Sequence, residues 1–234
     1  MKLIMPCSEC IETDGFKDDT ILFVEIEDGS YYEITCLRGH SRAAILTTRK
    51  FEILFEFGAM AQLDGYPREA VSSFPVALER FYEYWVKAHL LHAQIAPAEL
   101  DAAWRQVSAQ SERQLGAFSL LYIREYYTPA PMLPQRVTEF RNKVIHKGYI
   151  PTRIDCVKYG DAVLELIRKN IRELWSSHND ELIGSVNEKW FEARGDQPNM
   201  FFLPWMTLGT NRPPTDDRNL EDIIDQMEAA KKPA

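Results

Sequence analysis

The sequence predicts a mainly α-helical protein with a small β module at its N-terminus, and three observations carry that prediction. Apolar residues recur at helical spacing through most of the stretch from Phe51 to Trp175. Short runs rich in β-branched and aromatic residues fall before it, between positions 20 and 35. Four side chains of metal-ligand type, Cys7, Cys10, Cys36 and His40, stand in two close pairs around those runs. The expected organisation is a β module over residues 1–46, a helical domain over 48–178, and a C-terminal extension over 179–234 that is partly helical and partly disordered.

In the first module, Cys7-Ser8-Glu9-Cys10 is a C-x2-C knuckle and Cys36-Leu37-Arg38-Gly39-His40 is a C-x3-H knuckle. Between them, the runs Thr20–Ile26 and Tyr31–Thr35 flank Glu27-Asp28-Gly29-Ser30, a hairpin turn signal. Knuckle, hairpin, knuckle is the layout of a zinc ribbon, and three Cys with one His is a usual structural zinc set. A module this small buries little core, so the metal is expected to supply much of its folding energy. The fourth cysteine, Cys156, stands alone and reads as a small buried apolar residue.

Composition narrows the class further. Forty-five per cent of the residues are hydrophobic, with five Trp, ten Tyr and twelve Phe, enough to fill a core. No apolar stretch reaches the roughly 20 residues a membrane span needs, and the N-terminal apolar region is too short for a signal peptide. The expected location is therefore cytoplasmic. The net charge of −8 speaks against a protein that coats nucleic acid. Charge is uneven, however: between positions 136 and 153 lie Arg136, Arg141, Lys143, Lys147 and Arg153 against Glu139 alone. A local basic site on an acidic body suits an enzyme that touches a few phosphates.

The helices follow in order. After a link at 41–50, Phe51, Leu54, Phe55, Gly58 and Ala59 form an apolar stripe. Asp64-Gly65-Tyr66 marks a turn and Pro67 opens the next helix, which runs to about His92 through Pro75. His89 and His92 read as boundary residues rather than ligands. Residues 96–108 and 111–126 give two more helices, and the proline-rich stretch 127–134 a rigid loop. A long amphipathic helix begins near Asp155, with Arg168, Lys169 and Arg172 expected on its solvated side. Phe201 to Met206 should dock on the bundle or a partner, 211–217 reads as a linker, and 219–230 as a short acidic helix.

The chemistry concentrates in Phe140-Arg141-Asn142-Lys143-Val144-Ile145-His146-Lys147-Gly148. Gly148 ends this helix and Pro151 keeps it from resuming. Arg141 is a permanent charge that forks onto phosphate oxygens. His146 is of the one residue type whose ordinary pKa lies near neutrality, so it suits proton transfer. Asn142 and His146, at i and i+4, share a helix face. Arg141 and His146 lie about 140° apart, so they converge only if the arginine reaches across or a second subunit brings its own copy.

The Arg-x4-His spacing, the stretch from Pro134 to Thr152, the long helix after it, and the upstream segments Phe51–Ala59, Tyr66–Phe74 and Leu78–Tyr84 together resemble a HEPN domain over residues 48–178. The resemblance implies a HEPN-like helical bundle, here preceded by a zinc ribbon. In active members the motif supports metal-independent cleavage of RNA to a 2′,3′-cyclic phosphate, in a homodimer whose motif helices face each other. It implies His146 as general acid or base, Arg141 as stabiliser of the phosphorane, Asn142 as an orienting group, and Glu79 as an accompanying polar residue of the second helix. It further implies a toxin or phage-defence effector, with a protein antitoxin or regulator as possible partner. Some relatives carry Arg-x4-His-x-Tyr with a modified tyrosine; here Tyr149 comes one residue later and departs from that pattern. The alternative expectation is a non-catalytic dimerisation or ligand-binding module, with the zinc ribbon recognising a partner.

Overall fold

In a computed structural model of the chain, the described residues are 2–15, 21–29, 31–46, 48–192, 199–201, 208 and 216–231. Among them the protein is mainly helical, with eight helices and small β elements. The chain divides into two compact units. Residues 1–49 and 195–206 make the first, and 50–194 with 207–234 make the second.

The first unit holds β1 (Lys2–Pro6), α1 (Ser8–Asp14), β2 (Ile21–Glu25), β3 (Tyr31–Thr35), β4 (Ser41–Leu46) and β5 (Asn199–Phe201). The two expected strand runs form, but they do not pair with each other. Antiparallel β1 and β2 are joined in one sheet, Leu3 opposite Val24, while β3 pairs antiparallel with β4 and β4 parallel with β5 in another. The hairpin is thus β3–β4, and its turn is the Cys36–His40 knuckle. The Glu27–Gly29 stretch, expected as a hairpin turn, is held by a side chain instead. The Glu27 N–H donates to the Tyr32 hydroxyl at 3.3 Å, which donates to the Gly29 carbonyl at 3.1 Å. The expected link after His40 is a strand as far as Leu46. Serine, arginine and alanine have little strand preference, and it is pairing on both sides that fixes β4. Inward positions Tyr32 and Ala44, cross-strand partners, are both buried.

The second unit contains α2 (Lys50–Leu63), α3 (Pro67–His92), α4 (Pro97–Val107), α5 (Ser111–Tyr126), α6 (Gln135–Lys147), α7 (Arg153–Glu192) and α8 (Leu220–Lys231). Helix α3 is the axis of the unit, touching α2, α4, α5, α6 and α7. It starts on Pro67, whose missing N–H costs nothing there, and passes through a buried Pro75. Its apolar face packs as aromatic pairs: Phe74 on Phe55 at 4.9 Å between ring centroids, and Trp85 edge-on to Phe118 at 5.0 Å. His89 is buried against Trp85.

Helix α7 begins with a reciprocal cap. The Asp155 N–H donates to Thr152 Oγ1 at 3.1 Å, and the Thr152 N–H donates to the Asp155 carboxylate at 3.3 Å. It continues to Glu192, well past residue 178, where the helical domain was expected to end. Helix α8 has the same kind of cap, between Asn219 and Asp222. It buries Leu220, Ile223, Ile224 and Met227 and touches α2 and α7.

One expectation on α7 fails. Lys169 and Arg172 are exposed, but the Arg168 side chain is fully buried. Its Nη1 donates to the Arg218 carbonyl at 2.5 Å and its Nη2 lies 3.5 Å from the Asp216 carboxylate. A guanidinium can be buried when its donors meet a carbonyl and a carboxylate, and the strand of chain leading into α8 supplies both. A second correction concerns Phe201, which enters strand β5 beside Leu46 of β4. Residues 202–206 and most of the expected linker at 211–217 lie outside the described residues.

Candidate functional site

Two clusters of chemically capable side chains emerge, one in each unit. In the first unit, Cys7 precedes α1, Cys10 lies in its first turn, and Cys36 and His40 bracket the β3–β4 turn. That turn is closed by the Cys36 N–H donating to the His40 carbonyl at 3.0 Å, with Gly39 at φ +86°. All four ligand atoms lie within 4.8 Å of one another. The Cys10 and Cys36 sulfurs are 3.8 Å apart, and His40 Nδ1 is 3.3, 3.5 and 3.7 Å from the sulfurs of Cys10, Cys36 and Cys7. A tetrahedral metal at about 2.3 Å from sulfur and 2.0 Å from nitrogen sets edges of about 3.8 Å (S···S) and 3.5 Å (S···N). The cluster can therefore hold a metal ion.

Its surroundings favour that role. The three cysteines are buried. Burial pushes the Cys10 thiol up to about 12, reinforced by hydrogen bonds and charge from Cys7 and Cys36. Burial acts in the same direction on Cys36, but backbone N–H groups of Arg38 and His40 and the other two thiols outweigh it and hold that thiol low. Thiols crowded this closely relieve their mutual repulsion by sharing a cation. The outer nitrogen of His40, Nε2, lies 3.8 Å from the Glu9 carboxylate, which suits a group fixing the ring with Nδ1 inward.

In the second unit, helix α6 carries the Arg-x4-His segment and ends at Gly148, which is left-handed at φ +68°. There the Tyr149 N–H reaches back to the Lys143 carbonyl at 3.2 Å. Only Val144 of α6 is buried, which anchors the helix and leaves its other faces partly open. Arg141, Asn142, His146 and Lys147 all line one pocket of about 680 Å3, and Glu79 of α3 lines it too. Arg141 and His146 thus border the same pocket on a single chain.

The polar contacts are specific. Arg141 Nη1 donates to Asn142 Oδ1 at 3.0 Å, and Arg141 Nη2 lies 3.9 Å from Glu79 Oε1. Burial raises the Glu79 carboxyl above its ordinary value, the positive charges of Arg141 and Arg80 oppose the shift, and Glu112 adds to it. The rest of the wall is largely apolar. Its apolar part comes from Pro75, Leu78 and Tyr82 of α3, Leu115 of α5, Met132 and Leu133 of the proline-rich loop, and Tyr159 of α7, with Ser111, Glu112 and Thr138 as further polar members. Burial raises both the Tyr82 and Tyr159 hydroxyls, so both stay protonated donors.

The sequence did not single out the tyrosines or the acidic residue Glu112 for this site. Tyr82 reads as one more apolar position on α3, and nothing local marks Tyr159 as facing Arg141. Among the described residues no helix is long and apolar enough to cross a membrane. No protein-family model, curated protein or solved structure matches this chain.

Proposed function

We propose that this chain is a metal-independent endoribonuclease of the HEPN kind, acting as a homodimer. The observation that carries the reading is the meeting of Arg141, Asn142, His146 and Glu79 at one pocket on a locally basic helix. In the reaction, the ribose 2′-oxygen attacks the adjacent phosphorus while one His146 takes its proton. The bond from phosphorus to the 5′-oxygen breaks, and the His146 of the second subunit returns a proton to that oxygen. The products are a 2′,3′-cyclic phosphate and a 5′-hydroxyl. The Arg141 guanidinium offsets charge on the phosphorane. Asn142 and Glu79, at 3.0 and 3.9 Å from it, orient that guanidinium.

The metal of the Cys3His cluster is zinc in this reading. Four protein ligands leave no open position, so it folds the N-terminal unit and takes no part in cleavage. A cytoplasmic toxin or defence effector, restrained by a protein antitoxin, is the setting that suits such an activity. A second reading, a non-catalytic ligand-binding module, draws on the apolar majority of the pocket wall.

Substrate chemistry separates the two. Purified protein should cut single-stranded RNA and leave DNA and 2′-O-methyl RNA intact, since neither offers the internal nucleophile. DNA cut at a rate like that of RNA would remove the mechanism, and no cutting of any RNA would favour the ligand-binding module.

A further inference from the structure

We propose that the apolar side of this pocket holds the base of a nucleotide flanking the scissile phosphate, and that Glu79 selects guanine there. The inference rests on the ribonuclease reading and adds to it a substrate preference. Its first support is size. At about 680 Å3 the pocket falls within the range of small-molecule sites and far exceeds what a phosphate group fills.

The second support is the way the wall is divided. Arg141, Asn142, His146 and Lys147 all come from α6, so the phosphate-handling groups sit along one element. The apolar and aromatic groups, among them Leu78, Tyr82, Leu115, Leu133 and Tyr159, come from other parts of the unit. A nucleotide has the same division, a charged phosphate on one side and a flat apolar ring on the other.

Among the polar residues that interrupt the apolar wall, Glu79, Ser111 and Glu112, the one beside Arg141 then sets which base fits. Glu79 offers a carboxylate, which only accepts hydrogen bonds when ionised. It stands 3.9 Å from Arg141, too far for that contact to be a hydrogen bond, so it retains acceptor capacity. Guanine is the one common base that presents two adjacent donors, N1–H and the N2 amino group. Adenine sets its N1 lone pair against the carboxylate, cytosine its N3 lone pair, and uracil two carbonyl oxygens around a single N3–H. Glu112 lines the same pocket and its charge acts on Glu79, so the local field favours a donor-rich edge.

Calorimetric titration of the full chain with the 3′- and 5′-monophosphates of guanosine, adenosine, cytidine and uridine tests this without relying on turnover. A two-bond carboxylate contact is worth ~5- to ~150-fold between bases, so one guanosine monophosphate should bind at least ~10-fold tighter than its three counterparts. The near-isosteric Glu79→Gln protein should reduce that ratio to within ~3-fold, because an amide offers one acceptor where the carboxylate offers two. Leu115→Trp, which fills the pocket, should weaken all of them.

Equal affinities for the four bases, no binding at millimolar nucleotide, or a guanine preference that survives Glu79→Gln would each overturn the proposal. So would a Glu79→Gln protein that loses affinity for all bases alike, the result expected if Glu79 only positions Arg141. RNA cleavage with no bias toward guanine removes this inference and leaves the ribonuclease reading standing. Guanine-selective binding by a protein that cuts no RNA removes the ribonuclease reading instead.

Discussion

Cys7, Cys10, Cys36 and His40 are the residues whose role was most open to reading from spacing, because a metal needs particular donors at particular separations. Metal analysis should give one zinc per chain. A Cys7→Ser/Cys36→Ser double variant should lose it, and an unchanged metal content in that variant would rule the site out. Glu79 was legible only as a polar residue on the second helix. Its environment depends on Arg141 and Arg80, Glu112, and the buried Tyr82 and Tyr159, which the fold brings near it from four helices. Its folded carboxyl titrates above the unfolded value, with burial the largest cause. That group favours folding fully below the unfolded pKa, and the contribution is lost as pH rises through the folded pKa. The melting temperature of Glu79→Gln relative to wild type should therefore rise from pH 4 to pH 7. A flat difference over that range would show that the carboxyl does not feel its burial.

Helix α7 organises the packing of the second unit at a point that periodicity does not reveal. At Gly160, an added Cβ would collide with Leu220 of α8 and Phe74 of α3. Gly160→Ala should therefore destabilise the protein by ~1–3 kcal/mol, the usual cost of overpacking, measured by denaturant unfolding. A neutral result would mean that α3 and α8 do not approach α7 there. Arg168 makes the complementary point. A sequence places a long base eight positions past a glycine on what looks like a solvated face. Burial comes from Asp216 and the Arg218 carbonyl, some 50 positions later, and no local pattern announces that return of the chain. Arg168→Ala should cost more than ~2 kcal/mol, since it empties a buried site and leaves partners unsatisfied. Strand pairing was hidden for a related reason: β2 and β3 have strand composition, but composition does not say which edges meet. The caps Thr152-x-x-Asp155 and Asn219-x-x-Asp222, by contrast, are local signals and mark the starts of α7 and α8.

Taken whole, the molecule is acidic at −8, yet the locally basic stretch 136–153 carries the groups suited to a phosphodiester. Helix content, element order from α2 to α8 and the metal-ligand set all follow from spacing and composition. The pocket does not, because its wall comes from α3, α5, α6, α7 and a loop that no single window spans. In the proposed function, Arg141 and His146 perform the chemistry on RNA. The most direct measurement is the single-turnover cleavage rate of an RNA oligonucleotide by wild type, His146→Ala and Arg141→Ala. It is made with no added divalent metal, with zinc content and circular dichroism confirming intact protein. Wild type should cleave and leave a 2′,3′-cyclic phosphate, and each variant should lose at least ~10²-fold in rate. A folded His146→Ala protein that cuts RNA at the wild-type rate would contradict that proposal.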